Sequence, residues 1–356
     1  MPDVNSDYKQ KIEPVCPIFG ECGGCQYQDI SYEDELALKR QALKALLEEK
    51  VSLPESCFEP VVRSPKQYHY RSRMDLKLLK TRQQEVFVGF SPVAHYPVIE
   101  AQTCAIAMDS IADFFPELKK QAIEKLPAKY RIASLVVKTG DDGRVFWGGI
   151  GRRSLRMSEQ DYLWTEVRGR RVFYSLETFF QANLSILPAL MDHIEALGIL
   201  DQDTCFFDLY GGVGLFGLCL YDCVGKVLLI EENVHAIKVA KHNIAYHDFK
   251  NFDIVSGRVE DHLPFLLDSL EDKRSVVMID PPRRGLSPAA AAFLADLSGV
   301  EHLLYLSCNP EALARDLSVF VEKGWSVMKV IPFDFFPRTK HLETLVVLRN
   351  NMRRKA

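Results

Sequence analysis

After Asn183 the chain alternates short apolar runs with helix-forming stretches, a rhythm that few folds can accommodate. The runs are Thr204 to Leu209, Val227 to Ile230, Phe252 to Val255, Val276 to Ile279 and Leu303 to Leu306, with a final pair near Ser326 to Ile331 and Leu345 to Leu348. Apolar strands separated by helices predict a parallel sheet covered on both faces. Such sheets do their chemistry in the crevice outside the carboxyl ends of the strands. The residues that follow each run therefore carry the functional information.

The first run passes into Asp208-Leu209-Tyr210-Gly211-Gly212-Val213-Gly214-Leu215-Phe216-Gly217, a strand entering a glycine-rich turn and then a helix. Gly212, Gly214 and Gly217 satisfy the dinucleotide spacing, and Glu231 stands at the tip of the next run, where it can take ribose hydroxyls. Many nucleotide sites share that pattern. Asp208, immediately before the turn, would repel a pyrophosphate and suits a cofactor with a positive charge and an amino group. This favours S-adenosylmethionine over NAD. In Asp280-Pro281-Pro282-Arg283-Arg284-Gly285-Leu286 the two prolines fix an extended loop that holds Asp280 toward the crevice. Methyltransferases that act on exocyclic amines commonly place an aromatic fourth in this loop, so Arg283 speaks against that chemistry.

Leu306-Ser307-Cys308-Asn309-Pro310 puts a thiol at the end of a strand. Most single cysteines are small buried hydrophobes, so a reactive role needs support from the other stretches. Carbon methylation of a pyrimidine supplies it. Uracil C5 is too poor a nucleophile to attack a sulfonium methyl unaided, whereas a thiolate added at C6 turns C5 into an enolate carbon that can. The adduct must then lose its C5 proton, for which Glu343, in Lys340-His341-Leu342-Glu343-Thr344, is the candidate base and His341 the fallback.

The nine cysteines have neither a signal peptide nor a membrane-length apolar run beside them, so the protein is expected to be soluble and cytoplasmic. In that compartment cysteines serve metals, clusters or catalysis more than disulfides. Cys16, Cys22 and Cys25, with Gly20, Gly23 and Gly24 to allow a tight loop, offer three soft ligands, and Cys104 is the best candidate for a fourth. Zinc and an iron–sulfur cluster both suit such a set. Cys57, Cys205, Cys219 and Cys223 fall in or beside apolar stretches and read as packing residues. Ser31 to Glu49 predicts a helix capped by Ser31, and the proline-bearing stretch 52–65 a connector. Short alternating runs from Tyr68 to Val172 predict an antiparallel β-rich region, with helix limited to about Ile106 to Leu126.

The formal net charge of −4 does not advertise a polyanion binder. Locally the picture differs. Arg63, Lys66, Arg71, Arg73, Lys77, Lys80 and Arg82 are interleaved with Tyr68 and Tyr70, and a second group comprises Arg152, Arg153, Arg156, Arg168, Arg170 and Arg171. Together they predict polyanion binding.

Five ordered motifs, TFFQAN, DLYGGVG, DPPRRGL, SCNP and FPRTKHLET, resemble the S-adenosylmethionine-dependent RNA uracil-5 methyltransferases. CPIFGECGGCQYQ resembles the iron–sulfur-bearing branch that acts on 23S ribosomal RNA. The resemblance runs from Cys16 to Leu348 and implies an α/β fold: a Rossmann-like class I methyltransferase domain over 173–356, a β-rich RNA-binding central domain over 61–172, a helix and connector over 31–60, and an iron–sulfur segment over 1–30. It implies a [4Fe-4S] cluster on Cys16, Cys22, Cys25 and Cys104. It also implies cofactor contacts from Gln181, Tyr210, Glu231 and Asp280, joined by Asp208, Gly211 and Gly214 of the turn, with Cys308 as nucleophile and Glu343 as base. The expected partner is RNA, 23S ribosomal RNA ahead of tRNA, bound by a monomer without a membrane. Many members carry a small β-barrel ahead of the cluster, which 15 residues before Cys16 do not provide, so RNA affinity is expected to rest on the central domain. Gly211 stands where the family often has Cys. The rival readings are a catalytically idle RNA-binding assembly factor and an NAD-dependent oxidoreductase, which leaves Cys308 and the cysteine group unexplained.

Overall fold

The computed structural model describes residues 11–83, 85–93, 98–125, 131–149, 158–259, 261–262, 274–297 and 299–351. Helix α1 (Tyr32–Glu48) starts where Ser31 Oγ accepts from the Asp34 amide at 3.1 Å, a cap of the kind that contributes about 1 kcal/mol. Strands β1 (Arg73–Lys80), β2 (Val86–Phe90) and β3 (Ile99–Glu100), helix α2 (Asp109–Lys125), and strands β4 (Ile132–Thr139) and β5 (Val145–Gly149) form the central region. Its antiparallel sheet has the order β3-β2-β1-β4-β5. Met74, Leu76 and Leu78 alternate inward along β1 and pack with Ile111, Phe115 and Leu118 of α2. The β-rich reading with one helix is the observed arrangement.

A hairpin follows, β6 (Leu163–Val167) and β7 (Arg170–Tyr174), turned at Arg168 and Gly169, both with positive φ. Leu163, Val167, Val172 and Tyr174 pack into the core of the C-terminal sheet, not the central one. A boundary at 172 thus cuts through this hairpin, whose apolar face has its partner further along the chain.

Then come α3 (Leu187–Glu195), β8 (Thr204–Leu209), α4 (Leu215–Cys219), β9 (Lys226–Glu231), α5 (Val234–Tyr246), β10 (Phe252–Ser256), β11 (Arg274–Ile279), α6 (Pro288–Ala295), β12 (His302–Ser307), α7 (Pro310–Glu322), β13 (Trp325–Phe333) and β14 (Glu343–Asn350). The seven strands lie in the order β10-β9-β8-β11-β12-β14-β13. Alternate residues face opposite cores, as a period of two requires: Phe206, Leu229, Met278 and Leu304 on one side, Phe207, Ile230, Ile279 and Tyr305 on the other. Each such side chain, fully buried, contributes about 1.5–3 kcal/mol.

One expectation is corrected. The sheet is not parallel throughout, because β14 runs antiparallel to both β12 and β13. No helix separates β13 from β14, and without a crossover two neighbouring strands must reverse direction. Residues 31–60 also pack against this sheet. Leu43, Leu47 and Phe58 belong to one core of the seven-stranded sheet, and Phe58 and Val62 bridge to Val330 and Phe333 of β13. No helix among the described residues is long and apolar enough to cross a membrane.

Candidate active site

Four of the parallel strands deliver a polar side chain to the same edge of the sheet: Asp208 near the end of β8, Glu231 at the end of β9, Asp280 just past β11 and Cys308 just past β12. Because β14 enters antiparallel, it begins at that edge. Ser307 lies opposite Thr344 and Leu306 opposite Leu345, so one step further along the ladder Cys308 stands beside Glu343. The strand reversal joins two residues 35 positions apart. Gln181 arrives from the loop after β7 and donates from Nε2 to Asp280 Oδ2 at 3.2 Å.

The glycine turn is built tightly. Tyr210 takes a left-handed φ of 59°, and Gly212 and Gly214 have φ of 56° and 90°. Glu231 ties both ends of its surroundings, accepting from the Gly212 amide at 2.8 Å and the Asn233 amide at 2.7 Å. Asp208 Oδ2 accepts from the Gly217 amide at 3.0 Å, while its Oδ1 is buried without a hydrogen-bond partner. A Cβ on Gly211 would meet Leu229 Cγ at 2.7 Å, so a side chain at 211 requires Leu229 to shift.

Four acidic groups share this small volume, and their protonation reflects it. Burial pushes Asp208 up to about 8, against one amide bond and with Asp280 and Glu231 adding repulsion. Asp280 is held at about 7 by burial, opposed by the Gln181 bond. Glu343 lies well above the usual carboxylate range, first through burial and then through Asp280, with Arg283 opposing. Its Oε2 also lacks a partner. Cys308 is raised to about 11 by burial, then Glu343 and Asp280, again against Arg283. A crevice of buried acids with unsatisfied oxygens suits a cationic ligand, whose charge would favour their ionised forms. His341, lowered to about 4 by burial and by the nearby cations Arg283 and Lys340, is a neutral imidazole at physiological pH.

Two supporting residues escaped sequence reading. Asp316, inside α7, accepts from the Leu286 amide at 2.8 Å and Tyr305 Oη at 2.6 Å, locking the DPPRRGL loop to the helix that follows Cys308. The only sequence signal was a lone acid on the apolar face of Leu313, Leu317 and Phe320. Asn309 caps α7 by accepting from the Glu311 amide at 3.1 Å and donates from Nδ2 to the Arg283 carbonyl at 2.8 Å.

The basic segments are less available than their sequence suggests. Tyr70 is only 1 % exposed and donates to the Pro337 carbonyl at 3.1 Å, so it is a buried strut and not a stacking platform for RNA. Arg63 pairs with Glu33 at 2.8 Å and Arg73 with Asp75 at 2.9 Å. Arg168 is paired with Asp192 at 3.1 Å and with Glu195, and Arg171 lies 4.0 Å from the centroid of Trp164. Arg152, Arg153 and Arg156 lie outside the described residues.

At the other end of the chain Cys16, Cys22, Cys25 and Cys104 line one cavity of about 430 Å³, with Gly23, Gly24, Arg71 and Asp75 among its walls. Among the described residues no group of three or more His, Cys, Asp or Glu side chains is arranged to hold a single metal ion. Cys57, Cys205 and Cys219 are buried and Cys223 is half-buried, in keeping with packing roles.

Comparison with known proteins gives the chemistry a family. The chain is 28% identical over 391 residues to an uncharacterized RNA methyltransferase of Caldanaerobacter subterraneus, covering 96% of this chain and 86% of that one. It is 28% identical over 381 residues to one of Thermotoga maritima, covering 96% and 85%. Among solved structures it resembles the Pyrococcus abyssi tRNA (uracil-54, C5)-methyltransferase in complex with S-adenosyl-L-homocysteine, with a TM-score of 0.69, 22% identity and coverage of 92% of this chain and 86% of that one. That likeness establishes the methyltransferase fold. The family model described as tRNA (Uracil-5-)-methyltransferase matches residues 150–351, the whole of the described catalytic sheet included. The chain belongs to this family, and it is an S-adenosylmethionine-dependent RNA (uracil-5-)-methyltransferase.

Proposed function

We propose that the protein forms 5-methyluridine in 23S ribosomal RNA, with Cys308 as the nucleophile and Glu343 as the base. The adjacency of these two residues at the crevice, a consequence of the β12–β14 register, is the observation that carries this reading. The target uridine leaves its stack to enter the crevice, which single-stranded RNA permits most easily. The Cys308 thiol gives its proton to solvent water and its sulfur forms a bond to C6, while the C5–C6 π pair moves toward C5. S-adenosylmethionine, when bound, supplies the methyl group on a sulfonium. Glu343 then takes the C5 proton, the C5–H pair restores the double bond, and the sulfur–C6 pair returns to Cys308. Asp208 and Asp280 meet the cofactor's positive charge, Glu231 its ribose, and Gln181, Tyr210, Gly211 and Gly214 shape its seat.

The ribosomal assignment rests on the cysteine segment. Cys16, Cys22, Cys25 and Cys104 line one cavity, and four thiolates suit a [4Fe-4S] cluster. Protein purified without oxygen is expected to be brown and to contain iron and sulfide, and Cys25→Ser to lose both. Stoichiometric zinc with no iron would sink this assignment.

A tRNA target is the second reading, favoured by the name of the Pyrococcus abyssi protein. Mass spectrometry of RNA from a strain lacking the gene separates them. The expected result is loss of 5-methyluridine from one 23S fragment with tRNA unchanged. Loss from tRNA alone reverses the assignment, and intact 5-methyluridine in both removes it.

A further inference from the structure

Glu343 opens β14, and the loop before it, residues 334–342, is held almost wholly by parts of the chain outside the seven-stranded sheet. Asn183 Nδ2 donates to the Phe335 carbonyl at 3.1 Å, Lys39 Nζ to the Phe336 carbonyl at 3.1 Å, and Tyr70 Oη to the Pro337 carbonyl at 3.1 Å. Arg338 is the centre of this arrangement. It is 4 % exposed and takes a left-handed φ of 67°, a conformation that glycine adopts more easily than arginine. Its hydrogen bonds all go to the first 70 residues, while its Nε is buried without a partner. Its amide donates to Glu35 Oε1 at 2.7 Å, and its carbonyl accepts from the Gln26 amide at 2.9 Å and the Tyr27 amide at 3.1 Å. Its guanidinium donates to the Ile30 carbonyl at 3.1 Å and to Gln67, and lies between the rings of Tyr32 and Tyr68, 5.4 and 5.0 Å from their centroids. Two residues on, the Lys340 amide donates to Gln26 Oε1 at 3.1 Å.

We infer that Arg338 is a positioning residue for Glu343, through which the segment that follows Cys25 sets where the base stands. The inference rests on the reading of Glu343 as base. Cys308 is held separately: it follows β12, its neighbour Asn309 caps α7, and Asp316 locks the loop opposite. Loosening Arg338 therefore displaces the base and leaves the nucleophile where it is. A strained, buried arginine that served stability alone would weaken both alike.

The two steps can be read apart. RNA containing 5-fluorouridine at the target is trapped after methyl transfer without needing the base, whereas ordinary RNA needs the base for release. Arg338→Ala is expected to form the trapped complex within about threefold of the wild-type rate. On ordinary RNA its kcat should fall at least about tenfold, with KM for RNA unchanged and covalent adduct accumulating, since small displacements of a catalytic group cost this much or more. Arg338→Lys, which keeps the charge without the planar fork, should recover only part of the loss. Gln26→Ala, which removes the tie to Lys340 from the half-buried side, should show the same accumulation in milder form and guards against a failure of Arg338→Ala to fold. Wild-type release by both Arg338→Ala and Gln26→Ala, or an equal loss of trapping and release, overturns the inference alone. Failure of the wild type to be trapped overturns the reading of the site and the inference with it.

Discussion

Replacing Cys308 by alanine is expected to abolish methyl transfer, a fall of at least about 10⁴-fold of the kind seen when a nucleophile is removed, and to abolish the covalent complex with 5-fluorouridine RNA. The size of the effect follows from what C5 cannot do alone. Without sulfur at C6 there is no enolate, and the remaining residues of the crevice offer no other nucleophile at the end of β12. The fold should survive. Cys308 is half-buried at a strand end, and the alanine variant keeps Asn309 as the cap of α7. Binding of S-adenosylhomocysteine should therefore be unchanged while both methyl transfer and trapping disappear. A trapped complex with Cys308→Ala would show that another group attacks the pyrimidine.

Glu343→Gln is expected to behave in the opposite manner. Attack and methyl transfer proceed, the C5 proton stays in place, and the covalent adduct accumulates on ordinary RNA while turnover falls about 10²- to 10⁴-fold. The wild-type pH profile should carry the same residue's signature. Burial and Asp280 hold the Glu343 carboxyl well above the usual range. A base acts in its ionised form, so turnover should rise with pH through that raised pKa and fall away below it, at a pH where an exposed carboxylate would still be ionised. In Glu343→Gln this limb should be absent. Free turnover by the variant, measured as 5-methyluridine per enzyme without adduct, would remove Glu343 from the role and return attention to His341, neutral at the working pH and close by in sequence.

The sequence carried these two assignments separately but not the reason they meet. Strand rhythm located the crevice, the glycine turn its cofactor end, and the Asp-Pro-Pro loop one wall. Each of those signals is local: an apolar run, a spacing of glycines, a pair of prolines. The insertion of β14 between β12 and β13 is not local, because its direction is set by a loop that no helix fills and by partners on either side. Asp316 was hidden for the same reason. Its partners, Leu286 and Tyr305, lie 30 and 11 positions earlier, and nothing about an acid in a helix announces a loop packed against it. Tyr70 misled in the other direction. Interleaved with arginines and lysines it counted toward a polyanion-binding segment, whereas its ring is buried and its hydroxyl donates to the Pro337 carbonyl.

The order of the strands has a consequence for how the enzyme comes into being. β14 is the last strand in sequence, yet it lies between two strands made before it. When Cys308 has been synthesised, β12 still lacks its neighbour β14, and residues 26–70 lack the loop at 334–340. Closing contacts of such long sequence separation is slow. The proposed nucleophile is therefore made before the proposed base, and the crevice that joins them is complete only once β14 has inserted between β12 and β13.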